Sequence, residues 1–344
     1  MKKVRLKNNI LDETSTPFVV AEIGINFNGS MELAKKTILA AKKSGADSVK
    51  FQYYKTEDFI SNKKIKINHR GVSLTQYNLF KKNEISLKQL EELKSFCDKI
   101  KIHFHATPTS ETGINELVEI GVDIIKNGSD FLTNTKMLKC LSKKKLPVVL
   151  STGMCTAREI QYALSFFKNY NKNNLILLHC VSNYPSRDSE ANTLRVDSLK
   201  KKFKTLVGYS DHTKGNDSAI MARVYGSVWF EKHFTINRNL KGPDHHFSSN
   251  PESFKEYCSS IKNLSKMIGS GNIDYSKNET HARKNYGISC VAKMDIETGT
   301  KLTASHLDFK RPGTGFKPYE INKIINKKTI KKIKKDEIIT SKYF

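Results

Sequence analysis

Between Pro17 and about Thr235 the chain alternates eight short runs rich in β-branched residues with stretches of helical pattern. The runs are Phe18–Ile23, Ser48–Gln52, Ile102–Thr107, Asp123–Lys126, Val148–Thr152, Leu175–Cys180, Thr205–Tyr209 and Ser227–Lys232. Amphipathic segments such as Met31 to Ser44 and Ser86 to Lys99 lie between most of them. A helix-length crossover brings the chain back in the same direction, so successive strands run parallel. Eight such units make a (β/α)8 TIM barrel, an α/β fold whose reactive groups stand at the C-terminal ends of the strands.

Those strand ends are polar. Glu22, Lys50, Gln52, Thr107, Lys126, Ser129, Ser151, Ser210, His212, Glu231 and His233 all fall there. A packed barrel needs none of them, whereas a polar substrate does. His212 and His233 close two consecutive strands with one helix-length stretch between, so they reach the same end of the barrel. Two imidazoles there can share a divalent ion and leave positions open for water and substrate. Lys50 and Lys126 suit a phosphate or carboxylate, helped by the hydroxyls of Thr107, Ser129, Ser151 and Ser210. Either lysine could instead form a Schiff base with a carbonyl substrate. His103 and His105 share one strand face and read as barrel packing. Tyr184 and the pair His245–His246 sit in loops that can approach the rim.

The 344 residues allow one large domain and a small one, here residues 1–270 and 283–344 with a Gly/Ser/Asn-rich linker at 271–282. From Arg283 onward the pattern turns strand-like and turn-rich, suiting a small, mostly β domain. The net charge of +25 favours an anionic partner, although lysine runs such as 143–145 and 200–202 look like solvated helix ends. The basic tail from Lys323 to Lys335 interleaves isoleucines rather than base-stacking aromatics, which speaks against nucleic acid. No apolar run reaches membrane-spanning length, and residues 1–16 do not read as a signal peptide. Six scattered cysteines without a CxxC pair point to reduced thiols and a cytoplasmic protein.

The stretches AEIGINFNGS (21–30), SVKFQ (48–52), IIKNGS (124–129), VLSTGM (149–154), LHCVSNYP (178–185), GYSDHT (208–213), WFEKHFT (229–235), GPDH (242–245) and KRPGTGF (310–316) run through almost the whole chain. On them the chain resembles the sialic acid synthase family, with its legionaminate and pseudaminate relatives. The resemblance implies condensation of phosphoenolpyruvate with an N-acetylated amino-sugar aldehyde and water. The sugar would be N-acetylmannosamine or a diacetamido-dideoxyhexose, and the products a nine-carbon 2-keto acid and phosphate. It further implies a divalent metal (Mn²⁺ or Mg²⁺), an antifreeze-like C-terminal domain and a domain-swapped homodimer.

By the same resemblance His212 and His233 are the metal ligands. Glu22, Lys50, Lys126, Tyr184, Glu231 and Asp244 are the catalytic candidates. Gln52, Thr107, Ser129, Ser151, Ser182, Ser210 and Arg311 are the substrate-binding ones, with Arg311 reaching the sugar's N-acetyl group across the dimer. The chain departs from the family pattern at Phe27, Thr109 and Ser182, all expected near the sugar pocket.

Overall fold

Every second residue of the eight runs points the same way, and that period decides what fills the barrel. The computed structural model describes residues 2–7, 9–69, 72–167 and 174–344. Its barrel strands are β1 (Phe18–Gly24), β2 (Ser48–Tyr53), β3 (His103–Pro108), β4 (Ile125–Asn127), β5 (Val148–Ser151), β6 (Leu175–Cys180), β7 (Leu206–Asp211) and β8 (Trp229–His233). They close in sequence order, all parallel, with β8 paired back onto β1.

At the N-terminal end the inward positions are apolar. Phe18, Val20, Ile124, Val149, Ile176, Leu178, Leu206 and Trp229 bury one another there, joined by Val4, Leu6 and Leu11. The last three come from a short hairpin, Val4–Arg5 with Ile10–Leu11, so it packs with the barrel's lower interior. Further along most of the strands the same face turns polar, which gives Glu22, Lys50, Lys126, Ser151, Ser210 and Glu231. The outward positions, such as Val19, Ala21, Ile23, Phe51, Leu177 and Phe230, pack against the surrounding helices.

Each strand is followed by a helix: α1 (Met31–Lys43), α2 (Leu87–Lys99), α3 (Glu111–Glu119), α4 (Thr135–Leu141), α5 (Ala157–Ser165), α6 (Arg195–Phe203), α7 (Asp217–Val224) and α8 (Pro251–Ile268). The side chains of Ser30, Ser86, Ser110, Asn134, Thr156 and Asn250 accept from backbone N–H groups of the first turns. These caps satisfy donors that a helix start leaves unpaired, and they fix where each rim loop ends. The loop after β2 is long. It contains a turn at Thr56–Asp58, a hairpin at Lys66–His69 and Val72–Thr75, and a helix at Gln76–Lys82.

Strand limits differ from the expected ones at several ends. The fourth run was expected from Asp123, but its pairing starts at Ile125. Asp123 turns aside because its carboxylate takes the Nδ1 of His103 at 2.9 Å. The seventh strand runs on to Asp211, which carries the ladder up to His212.

The chain divides into two units, Met1–Gly269 and Ser270–Phe344. In the second, β9 (Ser289–Ala292) pairs antiparallel with β10 (Leu307–Lys310), and single bridges join Val291 to Ile338 and Ile296 to Ile333. Cys290, Ile296, Leu302, Ile324, Ile333, Ile339 and Tyr343 form its core. Ile324 and Ile333 of the basic tail therefore face inward while its lysines stay in water. Part of the segment read as a linker is helical, with α9 at Thr280–Tyr286. All six cysteines are free, and no helix among the described residues is long and apolar enough to cross a membrane.

Candidate active site

The polar ends of the strands surround one cavity of about 650 Å³. Every candidate residue of the barrel lines it: Glu22, Lys50, Gln52, Thr107, Lys126, Ser129, Ser151, Ser182, Tyr184, Ser210, His212, Glu231, His233 and Asp244. Strand register explains why. Glu22 is level with His233 on one side and Lys50 on the other, Gln52 with Thr107, and Ser210 with Cys180 and Glu231. The ladder between β1 and β2 skips a residue between Glu22 and Gly24. Gly24 takes φ +53°, and a Cβ there would meet Glu22 Oε1 at 3.0 Å. Glycine thus permits the kink just beyond Glu22.

The floor of the cavity is a charge network. Lys50 Nζ lies 2.5 Å from Glu231 Oε2 and 3.2 Å from Glu22 Oε2. Lys126 Nζ donates to Ser151 Oγ at 2.6 Å and lies 3.8 Å from Glu231. The indole N–H of Trp229 donates to the other oxygen of Glu231 at 3.2 Å. Burial alone would raise the Glu231 carboxyl, but the ammonium groups of Lys126 and Lys50 outweigh it and hold the group at about 2. Burial opposes the charge on Lys50, yet Glu22 and Glu231 lift its pKa above the ordinary lysine value. Burial lowers Lys126, with Glu231 opposing and Lys50 adding to the fall. Burial also raises Glu22, against the pull of Lys50. The floor therefore sets two lysines among two carboxylates, and Lys126, whose nearest partner is the neutral Ser151, is the ammonium best placed to meet an anion.

The two histidine rings meet edge to face at the rim. Their ring centroids are 5.8 Å apart, with Tyr184 at 4.2 Å from His212 and 5.6 Å from His233. His212 Nδ1 lies 2.5 Å from the Val181 carbonyl, which can only accept, so Nδ1 carries the proton and Nε2 keeps a lone pair. Burial pushes His212 down to about 4 and His233 well below its ordinary value, so both rings are neutral near pH 7. His233 Nδ1 is buried without a hydrogen bond, with Asp244 Oδ2 3.8 Å away. Two neutral imidazoles, one with an orphaned nitrogen, fit a divalent cation. Among the described residues no cluster of three or more His, Cys, Asp or Glu side chains adds to them. Burial and the charge of Glu22 push Asp244 up to about 7, which suits a group that exchanges a proton.

Ser129 is held by its neighbours. Its Oγ accepts from the N–H of Gly153 at 2.9 Å and lies 3.2 Å from Cys180 Sγ. A Cβ at residue 153 would fall 2.6 Å from Ser182 Oγ, so only glycine fits there.

The NeuB family profile matches residues 37–273, and the SAF domain profile matches residues 289–342. The chain belongs to the NeuB family. The N,N'-diacetyllegionaminic acid synthase of Legionella pneumophila is 37% identical to this NeuB-family chain over 318 residues, spanning 90% of this chain and 89% of that one. The enzyme of the same name from Campylobacter jejuni is 38% identical over 330 residues, spanning 93% and 98%. The crystal structure of the N-acetylneuraminic acid synthetase of Leptospira borgpetersenii, in complex with citrate, superposes with a TM-score of 0.75. It is 34% identical and covers 82% of this chain and 95% of its own. The chain is thus an enzyme of this synthase family, a TIM barrel followed by a SAF domain.

One expectation for this NeuB chain changes with the coordinates. Phe27 does not line the cavity. It is buried in the core with its ring edge-on to Phe51 at 5.9 Å, because the outward face of β2 offers it an apolar partner. Arg311 belongs to the second unit, exposed, with its guanidinium over the Tyr286 ring at 5.5 Å. Thr109 and Ser182, the other departures from the family pattern, do line the cavity. The cavity also has walls that sequence reading passed over: Tyr54, Phe59, Phe80, Asp130, Phe131 and Phe247. Asp130 and Phe131 follow Ser129 directly, a signal that was available. The others come from loops with no periodic pattern to mark them. His246 lines the cavity too, while the His245 ring is buried with Nδ1 2.7 Å from Thr235 Oγ1.

Proposed function

We propose that this enzyme condenses phosphoenolpyruvate with an N-acetylated amino-sugar aldehyde and water, releasing a nine-carbon 2-keto acid and phosphate. The reading rests above all on the floor of the cavity. Lys50, Lys126 and the hydroxyls of Thr107, Ser129, Ser151 and Ser210 offer a charged, donor-rich bed for a ligand bearing both a carboxylate and a phosphate. His212 and His233 hold a divalent ion, Mn²⁺ or Mg²⁺. When bound, the ion supplies a Lewis acid to the sugar carbonyl oxygen. Lys50 and Lys126 bind the enol phosphate and orient its methylene carbon toward the aldehyde carbon. The new C–C bond leaves positive charge on the phosphate-bearing carbon. Glu231, ionised between the two lysines, stabilises that charge. Water adds there, its protons leave, and phosphate departs. In this reading Glu22 and Asp244, which both line the cavity, take or return a proton at the new hydroxyl and at the attacking water.

Gln52, Ser182 and Tyr184 contact the sugar in this reading. Arg311 acts across a domain-swapped homodimer, and the enzyme works in the cytoplasm. The experiment is phosphate release from phosphoenolpyruvate across a panel of amino-sugar aldehydes, with and without Mn²⁺. Release that needs both sugar and metal, with a nine-carbon keto acid by mass spectrometry, is the expected result. A covalent pyruvate adduct trapped by borohydride, with activity surviving EDTA, would instead establish a Schiff-base aldolase.

A further inference from the structure

One wall of the cavity is unlike the floor. Tyr54 and Phe59 come from the loop after β2, Phe80 from the helix Gln76–Lys82, and Phe131 from the turn after β4. Their rings meet edge to face: Tyr54–Phe80 at 5.3 Å, Phe59–Phe80 at 5.2 Å and Phe59–Phe131 at 6.2 Å. Phe59, Phe80 and Phe131 are only half-buried, yet all line the cavity. The cluster is tied down from behind. Glu84 accepts the Thr56 N–H at 2.7 Å, and Lys81 bridges Glu57 and Glu84 at 3.0 and 3.1 Å. This is a fixed apolar surface in a site whose floor is ionic.

Two hydroxyls on the same side have no partner. Tyr54 Oη and Thr109 Oγ1 are buried, line the cavity, and make no hydrogen bond. A buried hydroxyl without a partner is costly, and a ligand carbonyl placed there relieves the cost. The strand residues of the floor account for the carboxylate and phosphate of phosphoenolpyruvate. The loop-borne wall therefore faces the other substrate.

We propose that Tyr54, Phe59, Phe80, Phe131 and Thr109 form a specificity subsite for a second acetamido group and a terminal methyl on the sugar. The inference rests on the condensation proposed above and selects among its substrates. An acetamido group brings a methyl for the rings and a carbonyl for the two hydroxyls. N-acetylmannosamine brings hydroxyls to both places, which offer the rings no methyl and hold their oxygen two bonds closer to the sugar ring than an acetamido carbonyl does.

The test compares N-acetylmannosamine with 2,4-diacetamido-2,4,6-trideoxymannose, by turnover and by titration calorimetry on the Mn²⁺-loaded enzyme. The wild type is expected to favour the diacetamido sugar by at least about tenfold in kcat/KM, the scale of apolar-pocket discrimination. Phe80→Ala is expected to lower that ratio about tenfold through KM for the sugar, with KM for phosphoenolpyruvate unchanged. Tyr54→Phe and Thr109→Val, which keep shape and lose only the hydroxyl, are expected to lower it without loss of fold. Equal use of both sugars overturns the subsite, as does an unchanged ratio in all three variants. Calorimetric preference for the diacetamido sugar without any phosphate release upholds the subsite and removes the condensation instead.

Discussion

Glu231 shows how one residue serves both structure and chemistry. It accepts from Lys50 and Trp229 and lies near Lys126, fully buried at the centre of the floor. Lys126 is the less committed of the two lysines, because its closest partner is the neutral Ser151. It is therefore the better anion receptor. Lys126→Ala is expected to raise KM for phosphoenolpyruvate about 10- to 100-fold, the loss of a charge-assisted hydrogen bond worth about 1.5–3 kcal/mol. Sugar KM should stay within a few-fold; steady-state kinetics with each substrate varied in turn would expose an equal rise in both, which would contradict this assignment. At the imidazole pair, EDTA is expected to abolish turnover in the wild type and Mn²⁺ to restore it. His212→Ala and His233→Ala should neither bind Mn²⁺ tightly by calorimetry nor recover.

At the scale of the element, the ends of β7 and β8 are clamped beside the histidines they present. Lys232 Nζ bonds Asp211 Oδ2 at 2.7 Å and the carbonyl oxygens of Thr213 and Gly215, with the Lys232 and Asp211 side chains both buried. Asp211 also accepts from the N–H of Thr213. Lys232→Met leaves the Asp211 charge buried without a counter-charge, so urea unfolding should show a loss of about 3–5 kcal/mol. Pairing it with Asp211→Asn should recover part of that loss, since the stranded charge is then gone; a purely additive double variant would refute the clamp. The strands themselves were legible because parallel strands buried on both faces read as apolar runs, and their polar ends stood out against them. Their limits were less so. Asp123 looks like the start of a strand, yet a pairing with His103, distant in sequence, draws it aside. Of the aromatic wall only Phe131, close behind Ser129, was within reach of the sequence. Tyr54, Phe59, Phe80 and Phe131 share no period, and only the closed barrel brings their loops together. Phe27 misled for a related reason: its place in the first rim loop suggested the cavity, and the side it turns to depends on Phe51.

The whole molecule raises a question that the barrel alone does not answer. Fourteen of the proposed residues belong to Met1–Gly269, and Arg311 belongs to Ser270–Phe344. In the proposed homodimer Arg311 completes the active site of the partner's barrel, so the two kinds of defect should complement. Arg311→Ala alone is expected to raise KM for the sugar, and Lys126→Ala alone to cripple use of phosphoenolpyruvate. A swapped heterodimer of the two variants contains one site with both defects and one site with neither. Random mixing by co-expression or by unfolding and refolding together should then restore up to about a quarter of wild-type activity under subsaturating substrates, since about half of the dimers are mixed and half of their sites intact. If each Arg311 instead served its own barrel, every site in the mixture would carry one defect, and activity would stay at the average of the two variants.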